Sequence, residues 1–249
     1  MYCPFDFDKE EYSMSKSSEL RYGGISGIIL ALMLIAAFAL DFAISATTQG
    51  PPILRPENIG ADLLRAKGFT LWIVEAWLYT LMVIPVPLFM VMVYRALREK
   101  NDGAVPAVGL FASALFWIFH TLHNVAFLTI LQVLVPRYTG GAEGTAIEVV
   151  AIALLGFANV TFGFGTSVGA LFLVGYLGVL GMVTLQGGGL PRWTGYVALA
   201  AALLSLLAYL QFLSEAFGLV FGLPSWVLHI VWVIGATLGL LRSKDTQQV

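Results

Sequence analysis

Residues 23–45 read GGISGIILALMLIAAFALDFAIS, an apolar run in which Asp41 is the only charged residue. A helix needs about 20 such residues to cross a hydrocarbon core of about 30 Å. In hydrocarbon the backbone must satisfy its own hydrogen bonds, so the run predicts a membrane-spanning helix. Because the run is too long for a signal-peptide core and follows an acidic leader, we expect this helix to be retained.

Further apolar runs follow along the 249-residue chain. They cover residues 69–94, 107–135, 145–186, 194–219 and 225–241. Apolar residues make up 59% of the chain and charged residues 11%, about half the charge of a soluble domain. This composition predicts an all-α, polytopic transmembrane helical bundle. We expect one membrane domain, 21–244, between a polar N-terminal tail, 1–20, and a C-terminal tail, 245–249.

Proline and glycine mark the expected interruptions of these helices. Pro85 and Pro87 predict a kink in the second helix, because each proline lacks a backbone donor. The segment from Gly222 to Pro224 is expected to separate the last two helices. Between the first two, ENIGADLLRAKG at residues 57–68 predicts a short amphipathic helix on the membrane surface.

The run 145–186 is about twice the length of one span, so six or seven spans fit the pattern. Lysine and arginine in short loops favour the cytoplasmic side. Six spans place nine of these residues inside and four outside, whereas seven spans place six inside and seven outside. We therefore expect six spans with both termini cytoplasmic, and keep seven as the alternative. Six spans require a break near Gly163 and a partial extra helix at the outer face.

Three segments carry a resemblance to a known family: RYGGISGIIL entering the first helix, VYRALRE leaving the second, and LPRWTGYVALAAALLSLL entering the fifth. Together they resemble an uncharacterised family of bacterial multi-pass membrane proteins, known as a domain of unknown function. The resemblance runs from about Arg21 to Arg242. It implies a bacterial inner-membrane protein of about six spans, and it carries no catalytic residues to this chain.

Ionisable residues inside a membrane are costly, from about 2.5 kcal/mol upward at the centre, and are therefore candidates for function. Under the six-span topology most of those in this chain lie in the outer half of the bilayer. Under seven spans Glu215 and His229 would move to the inner side. The candidate polar pocket comprises Asp41, Glu75, His120, His123, Asn124, Glu215 and His229.

These residues admit several functions, and the catalytic residues, if there are any, stay unassigned. The leading interpretation is a structural, accessory or partner-binding subunit with an outward-facing polar pocket. A proton-coupled transporter of a small molecule is the first alternative, since histidine and glutamate titrate. The second is a metal-dependent hydrolase of a lipid-like substrate, with Zn, Fe or Mn held by His120, His123 and His229. Haem ligation by these histidines is a further interpretation.

The expected partners are the lipid bilayer and a membrane protein or a second copy of the chain. Nucleic acid is not expected, because the net charge is only −2. Trp117 and Trp232 are expected in the core, and Ser113 at a helix contact.

Overall fold

The computed structural model describes residues 16–47, 54, 56–67, 70–98, 104–162, 168–187, 189–210 and 215–242. These residues form an all-α bundle, as predicted, and no strand occurs among them. The α-helices are α1 Lys16–Thr47, α2 Ile59–Ala66, α3 Thr70–Leu81, α4 Pro85–Arg98, α5 Val105–Thr129, α6 Val135–Arg137, α7 Gly141–Phe162, α8 Val168–Leu185, α9 Arg192–Tyr209 and α10 Glu215–Arg242. A π-helical segment, Ile130–Leu134, joins α5 to α6 without a break.

Seven helical segments of the described chain are long and apolar enough to cross a membrane, so the chain is a multi-pass membrane protein. They are Ser18–Ile44, Thr70–Arg98, Val105–Arg137, Gly141–Thr161, Val168–Leu185, Arg192–Tyr209 and Val220–Arg242. The run 145–186 is therefore two helices, α7 and α8, each long enough to span. Residues 163–167, where the break near Gly163 was predicted, lie outside the described residues.

The number of crossings follows from which ends of the helices meet. The start of α1 packs on the end of α10: a Cβ added at Gly24 would meet Leu241, and one added at Gly27 would meet Thr237. We call this end of the bundle the terminal end and the opposite one the distal end. Because the first and last helices start and finish at the same end, the chain crosses the bundle an even number of times.

The directions of α7 and α8 explain how seven helices make six crossings. Helix α5 leaves the terminal end, and α8 runs antiparallel to it, with Leu180 against Gly109 and the Phe119 and Phe172 rings stacked at 5.7 Å. The amide of Gly189, after α8, donates to the carbonyl of Ala96 near the end of α4 at 3.1 Å. Helix α8 therefore finishes at the terminal end.

Helix α7 runs in the same direction as α8. It begins just after α6 at the distal end, and its Ala158 carbonyl lies beside His123, in the middle of the paired helix α5. The two helices are thus successive segments of one crossing. The bundle has six crossings, and α7 is the extra helix that the sequence predicts between the third and fourth spans.

A second apolar cluster forms a layer at the distal end. The continuous helix from Val105 to Arg137 would be about 50 Å long, well beyond a hydrocarbon core of about 30 Å. Its distal part, α7 and α2 pack around a core of Ile44, Leu54, Ile59, Leu63, Ala66, Trp72, Ile130, Leu131, Val135, Tyr138, Ala151 and Leu155. Helix α2 is amphipathic as predicted, and its apolar face covers this core.

Two of the predicted boundaries differ from the structure. Helix α1 begins at Lys16, within the segment predicted as a polar tail. The predicted separation at Gly222–Pro224 is wrong, because α10 continues through Pro224 and the helix boundary falls between Tyr209 and Glu215. Proline is tolerated inside a membrane helix where neighbouring groups compensate for the lost backbone bond. By contrast, the interruption predicted at Pro85 is confirmed, since α3 ends at Leu81 and α4 starts at Pro85.

Candidate functional site

Two acidic side chains from neighbouring helices meet in the distal half of the bundle. The carboxyl of Glu75 on α3 lies near that of Asp41 on α1, close enough for the two to interact. Tyr79, one turn after Glu75 on the same face of α3, donates its hydroxyl to Asp41 Oδ2 at 3.0 Å.

The Tyr79 ring connects the acidic pair to the centre of the bundle. It meets the ring of His120 edge to face, with centroids 5.0 Å apart. His120 lies on α5 and is 3% exposed. The imidazole of His120 therefore lies behind the acidic pair, with the phenol ring of Tyr79 between them.

His229 on α10 approaches His120 from the opposite side of the core. Both imidazoles contact the same three aromatic rings. The centroid distances from His120 and His229, respectively, are 5.9 and 6.1 Å to Phe116, 5.6 and 6.3 Å to Trp117, and 6.1 and 5.5 Å to Trp226. The two histidines thus share one aromatic enclosure, although they come from helices far apart in the sequence.

Tyr176 on α8 completes the arrangement. Its hydroxyl forms a hydrogen bond with His229 Nε2, and both side chains are fully buried. We call the whole set the polar line: Asp41, Glu75, Tyr79, His120, His229 and Tyr176. It runs from an exposed carboxyl on α1 to a buried phenol on α8, through side chains of α3, α5 and α10.

Four of the residues predicted for the polar pocket are thus brought together: Asp41, Glu75, His120 and His229. His123 points elsewhere, with Nδ1 2.9 Å from the carbonyl of Ala158 on α7. Asn124 is buried, and its Nδ2 donates to the His120 carbonyl at 2.8 Å within α5. Glu215 begins α10, and its side chain lies outside the described residues.

The predicted metal site of His120, His123 and His229 does not form in the described part of the chain. No three histidine, cysteine, aspartate or glutamate side chains there come close enough to hold a metal ion. The physical reason is the direction of His123, which faces α7 while His120 faces α3 and α10. The spacing of His120 and His123 along one helix was not sufficient to bring both rings to one point.

Sequence reasoning missed the two tyrosines of the polar line. Tyr79 follows Glu75 by four residues, so a shared helix face was the available signal. Tyr176 had a weaker signal, as the one phenol within the apolar helix α8. The expected burial of Trp117 and Trp232 is confirmed, at 3% and 1% exposure, and Ser113 is fully buried.

Comparison with family models, with curated proteins and with solved structures finds no match to this chain. The family resemblance in the sequence therefore stays a prediction.

Proposed function

We propose that this multi-pass membrane protein moves a small molecule across the membrane in exchange or together with protons. The observation that carries this proposal is the contact of Asp41, beside Glu75, with Tyr79, whose ring in turn meets the central histidine His120. Carboxyl and imidazole side chains are the groups that proteins commonly use to carry protons.

The polar line has the features of a proton-binding site inside a membrane. Ionisable side chains there are expensive and usually pair with one another along ion or proton pathways. In this chain the pair stands at the exposed end of the line, and the histidines stand at the buried end. A proton held between Asp41 and Glu75 is therefore one aromatic ring away from the central imidazoles.

The structural or partner-binding interpretation explains other residues better than it explains this line. His123 and Asn124 form hydrogen bonds that fix helices, which is the usual role of polar groups in membrane bundles. The hydrogen bond from Tyr79 to Asp41 also joins two helices, but it does not explain why a second acid lies beside Asp41. For the metal-dependent hydrolase, the described residues provide no supporting group of ligands.

We further propose that the terminal end faces the cytoplasm of a bacterial inner membrane. Lysine and arginine support this orientation, because nine flank the spans on the terminal side and four on the distal side. The exposed end of the polar line, at Asp41, would then lie toward the outer side of the membrane.

Proton uptake by proteoliposomes that enclose a pH-sensitive dye tests the proposal. The external solutes would be sodium chloride, sodium formate, choline gluconate, glycine and glucose, so that anions, a cation, a zwitterion and a sugar are each represented. We expect one class to change the internal pH with the wild-type protein. Glu75→Gln, which cannot exchange a proton, is expected to abolish this change.

The matched control is Glu57→Gln, because Glu57 is exposed on the short helix before α2 and lies outside the polar line. It should leave proton uptake at the wild-type rate. If none of the solutes drives a pH change that depends on Glu75, the proposed function is wrong.

A further inference from the structure

Three polar atoms in the centre of the bundle have no hydrogen-bond partner among the described residues and are fully enclosed. They are Ser113 Oγ on α5 and His229 Nδ1 and Trp232 Nε1 on α10. The rings of His229 and Trp232 are nearly parallel, with centroids 6.2 Å apart. Ser113 lies one helical turn from Phe116 and Trp117, whose rings contact His229.

The hydrogen bond to Tyr176 determines which nitrogen of His229 carries the proton. A buried phenol requires an acceptor for its hydrogen, and Nε2 of His229 is the partner that the structure provides for Tyr176. A neutral imidazole has one acceptor and one donor nitrogen. With Nε2 as the acceptor, Nδ1 carries the hydrogen and is a donor.

All three enclosed atoms can therefore donate. The indole nitrogen of Trp232 is a donor only, the serine hydroxyl donates or accepts, and His229 Nδ1 donates by the argument above. Buried donors are normally satisfied, so the stacked rings of His229 and Trp232, with Ser113 one turn from the rings that contact His229, call for an acceptor in this part of the core. The surrounding side chains are mainly aromatic rings, including Phe116, Trp117 and Trp226, which leave few acceptors for a ligand's own hydrogens.

We propose that His229, Trp232 and Ser113 bind a small anion, a halide or the carboxylate of a small acid. Such a ligand accepts several hydrogen bonds and brings no donor that needs satisfying. This inference rests on the proposed function and names the substrate class: the anion would move together with a proton. Binding itself can be measured without transport.

The anion explains why the two histidines lie beside the site. A charge buried without a partner is strongly unfavourable, whereas an anion that enters with a proton on an imidazole is neutralised. The titratable groups of the described chain that contact the two histidines are Tyr79 from α3 and Tyr176 from α8, while His123 lies one turn from His120 on α5 and faces α7. Beyond Tyr79 lie Asp41 and Glu75.

The remaining charged groups of the helices packed on α10 lie near the terminal end. They are Glu19 and Arg21 on α1, Arg95 and Arg98 on α4, and Arg192 on α9. None of them is placed to neutralise a central anion, so the proton has to come through the histidines. Binding is therefore expected to tighten as the pH falls, because the bound state takes up a proton.

The test is a titration of the intact protein in lipid nanodiscs, observed through its ¹⁵N-labelled indole groups. The Trp232 resonance is assigned by its absence from Trp232→Phe, which keeps a large ring in the core. Sodium chloride and sodium formate are the probes, and sodium gluconate keeps the ionic strength constant. We expect a saturable shift of the Trp232 resonance, with chloride or formate preferred according to whether the ligand is a halide or a carboxylate.

Ser113→Ala removes one donor and is expected to raise the dissociation constant of the anion about tenfold. Ser26→Ala, a matched change of a buried serine on α1, should leave it unchanged. Trp193, which is exposed on α9, reports non-specific effects of the salts. The anion site is wrong if the Trp232 resonance does not shift, or if its shift only follows that of Trp193. It is also wrong if Trp232 contacts ordered water alone.

The two proposals fail differently. If Trp232 does not respond but a non-anionic solute drives Glu75-dependent proton uptake, the anion site is wrong and the transport function stands. If Trp232 binds the anion but no solute moves protons, the protein binds anions without coupled transport, and the proposed function is wrong.

Discussion

The hydroxyl of Tyr79 donates a hydrogen bond to Asp41 Oδ2 at 3.0 Å, and the edge of the same tyrosine ring meets His120. One side chain therefore touches both the acidic pair and the first central histidine. This contact joins α1, α3 and α5 in the distal half of the bundle. Tyr79 is therefore the side chain that connects Asp41 to His120 within the polar line.

Tyr79→Phe removes the hydrogen bond and retains the ring against His120. We expect the free energy of unfolding to fall by about 1 kcal/mol, the usual net contribution of one such bond. Proton uptake by proteoliposomes should become slower without being lost, because Asp41 and Glu75 are unchanged in this variant. Thermal unfolding in detergent and the dye assay measure the two effects.

Tyr196→Phe is the control for this change, since Tyr196 is exposed on α9. It should alter neither the stability nor the proton uptake. A Tyr79→Phe protein with an unchanged rate would show that the phenol hydroxyl has no part in proton transfer.

Helix class, helix number and the rough position of the acidic residues could be predicted from the sequence. Hydrophobic length predicts a spanning helix, and seven helices of the described chain are long and apolar enough to span. The lysine and arginine bias favours six crossings. For the over-long run 145–186 the sequence predicts only a break, because about 40 helical residues would measure about 60 Å, and it leaves one or two crossings possible. The contacts of Gly24 with Leu241 and of Gly189 with Ala96 support six crossings.

Side-chain directions could not be predicted in the same way. His120 and His123 occupy adjacent positions on α5, yet one faces α10 and the other the carbonyl of Ala158. A helix face covers a broad arc, and only the neighbouring helices decide which ring meets which partner. The pairing of Tyr176 with His229 depends on the packing of two distant helices, for which a single sequence contains no spacing signal.

The six crossings predict which surfaces are accessible from each side of the membrane. In a Cys3→Ser background, single cysteines at Glu57 and Glu143 lie at the distal end, and cysteines at Gln186 and Arg242 lie at the terminal end. A membrane-impermeant maleimide should label the first pair in intact cells and the second pair only after permeabilisation. Labelling of positions 143 and 186 from the same side would show that α7 and α8 each cross the membrane, and would contradict six crossings.

Gly189, which lies after α8 against the backbone of Ala96, and Gly178, within α8, are expected to respond differently to substitution by alanine. A Cβ at Gly189 would lie 3.1 Å from the carbonyl carbon of Ala96 and even closer to its oxygen, so Gly189→Ala should reduce stability by about 1–3 kcal/mol. A Cβ at Gly178 would meet nothing within 4 Å. Gly178→Ala should therefore be neutral or stabilise the helix by up to about 1 kcal/mol. Thermal unfolding of the two variants gives the comparison.

His123 is expected to matter for stability and not for function. His123→Ala removes the bond to the Ala158 carbonyl, which should cost about 1 kcal/mol and loosen α7. Proton uptake should stay close to the wild-type rate, whereas His120→Ala should lose it. Parallel measurements on the two variants separate the roles, and a loss of uptake in both would show that His123 acts with the polar line.

Tyr138, at the turn between α6 and α7, predicts a loss of stability at high pH. Its hydroxyl donates to Glu148 Oε1, and this bond, with burial and the nearby carboxylate charge, raises the pKa of Tyr138 above the ordinary value of 10.0. The folded state therefore favours the neutral phenol. Its contribution to stability is complete below pH 10.0 and is lost as the pH rises through the higher pKa of the folded state. We expect the unfolding temperature of the wild type to drop more steeply above pH 10.0 than that of Tyr138→Phe. The control is Tyr22→Phe, which changes an exposed phenol and should follow the wild type. Parallel curves for the wild type and Tyr138→Phe would show that the bond between Tyr138 and Glu148 does not hold α7 against α6.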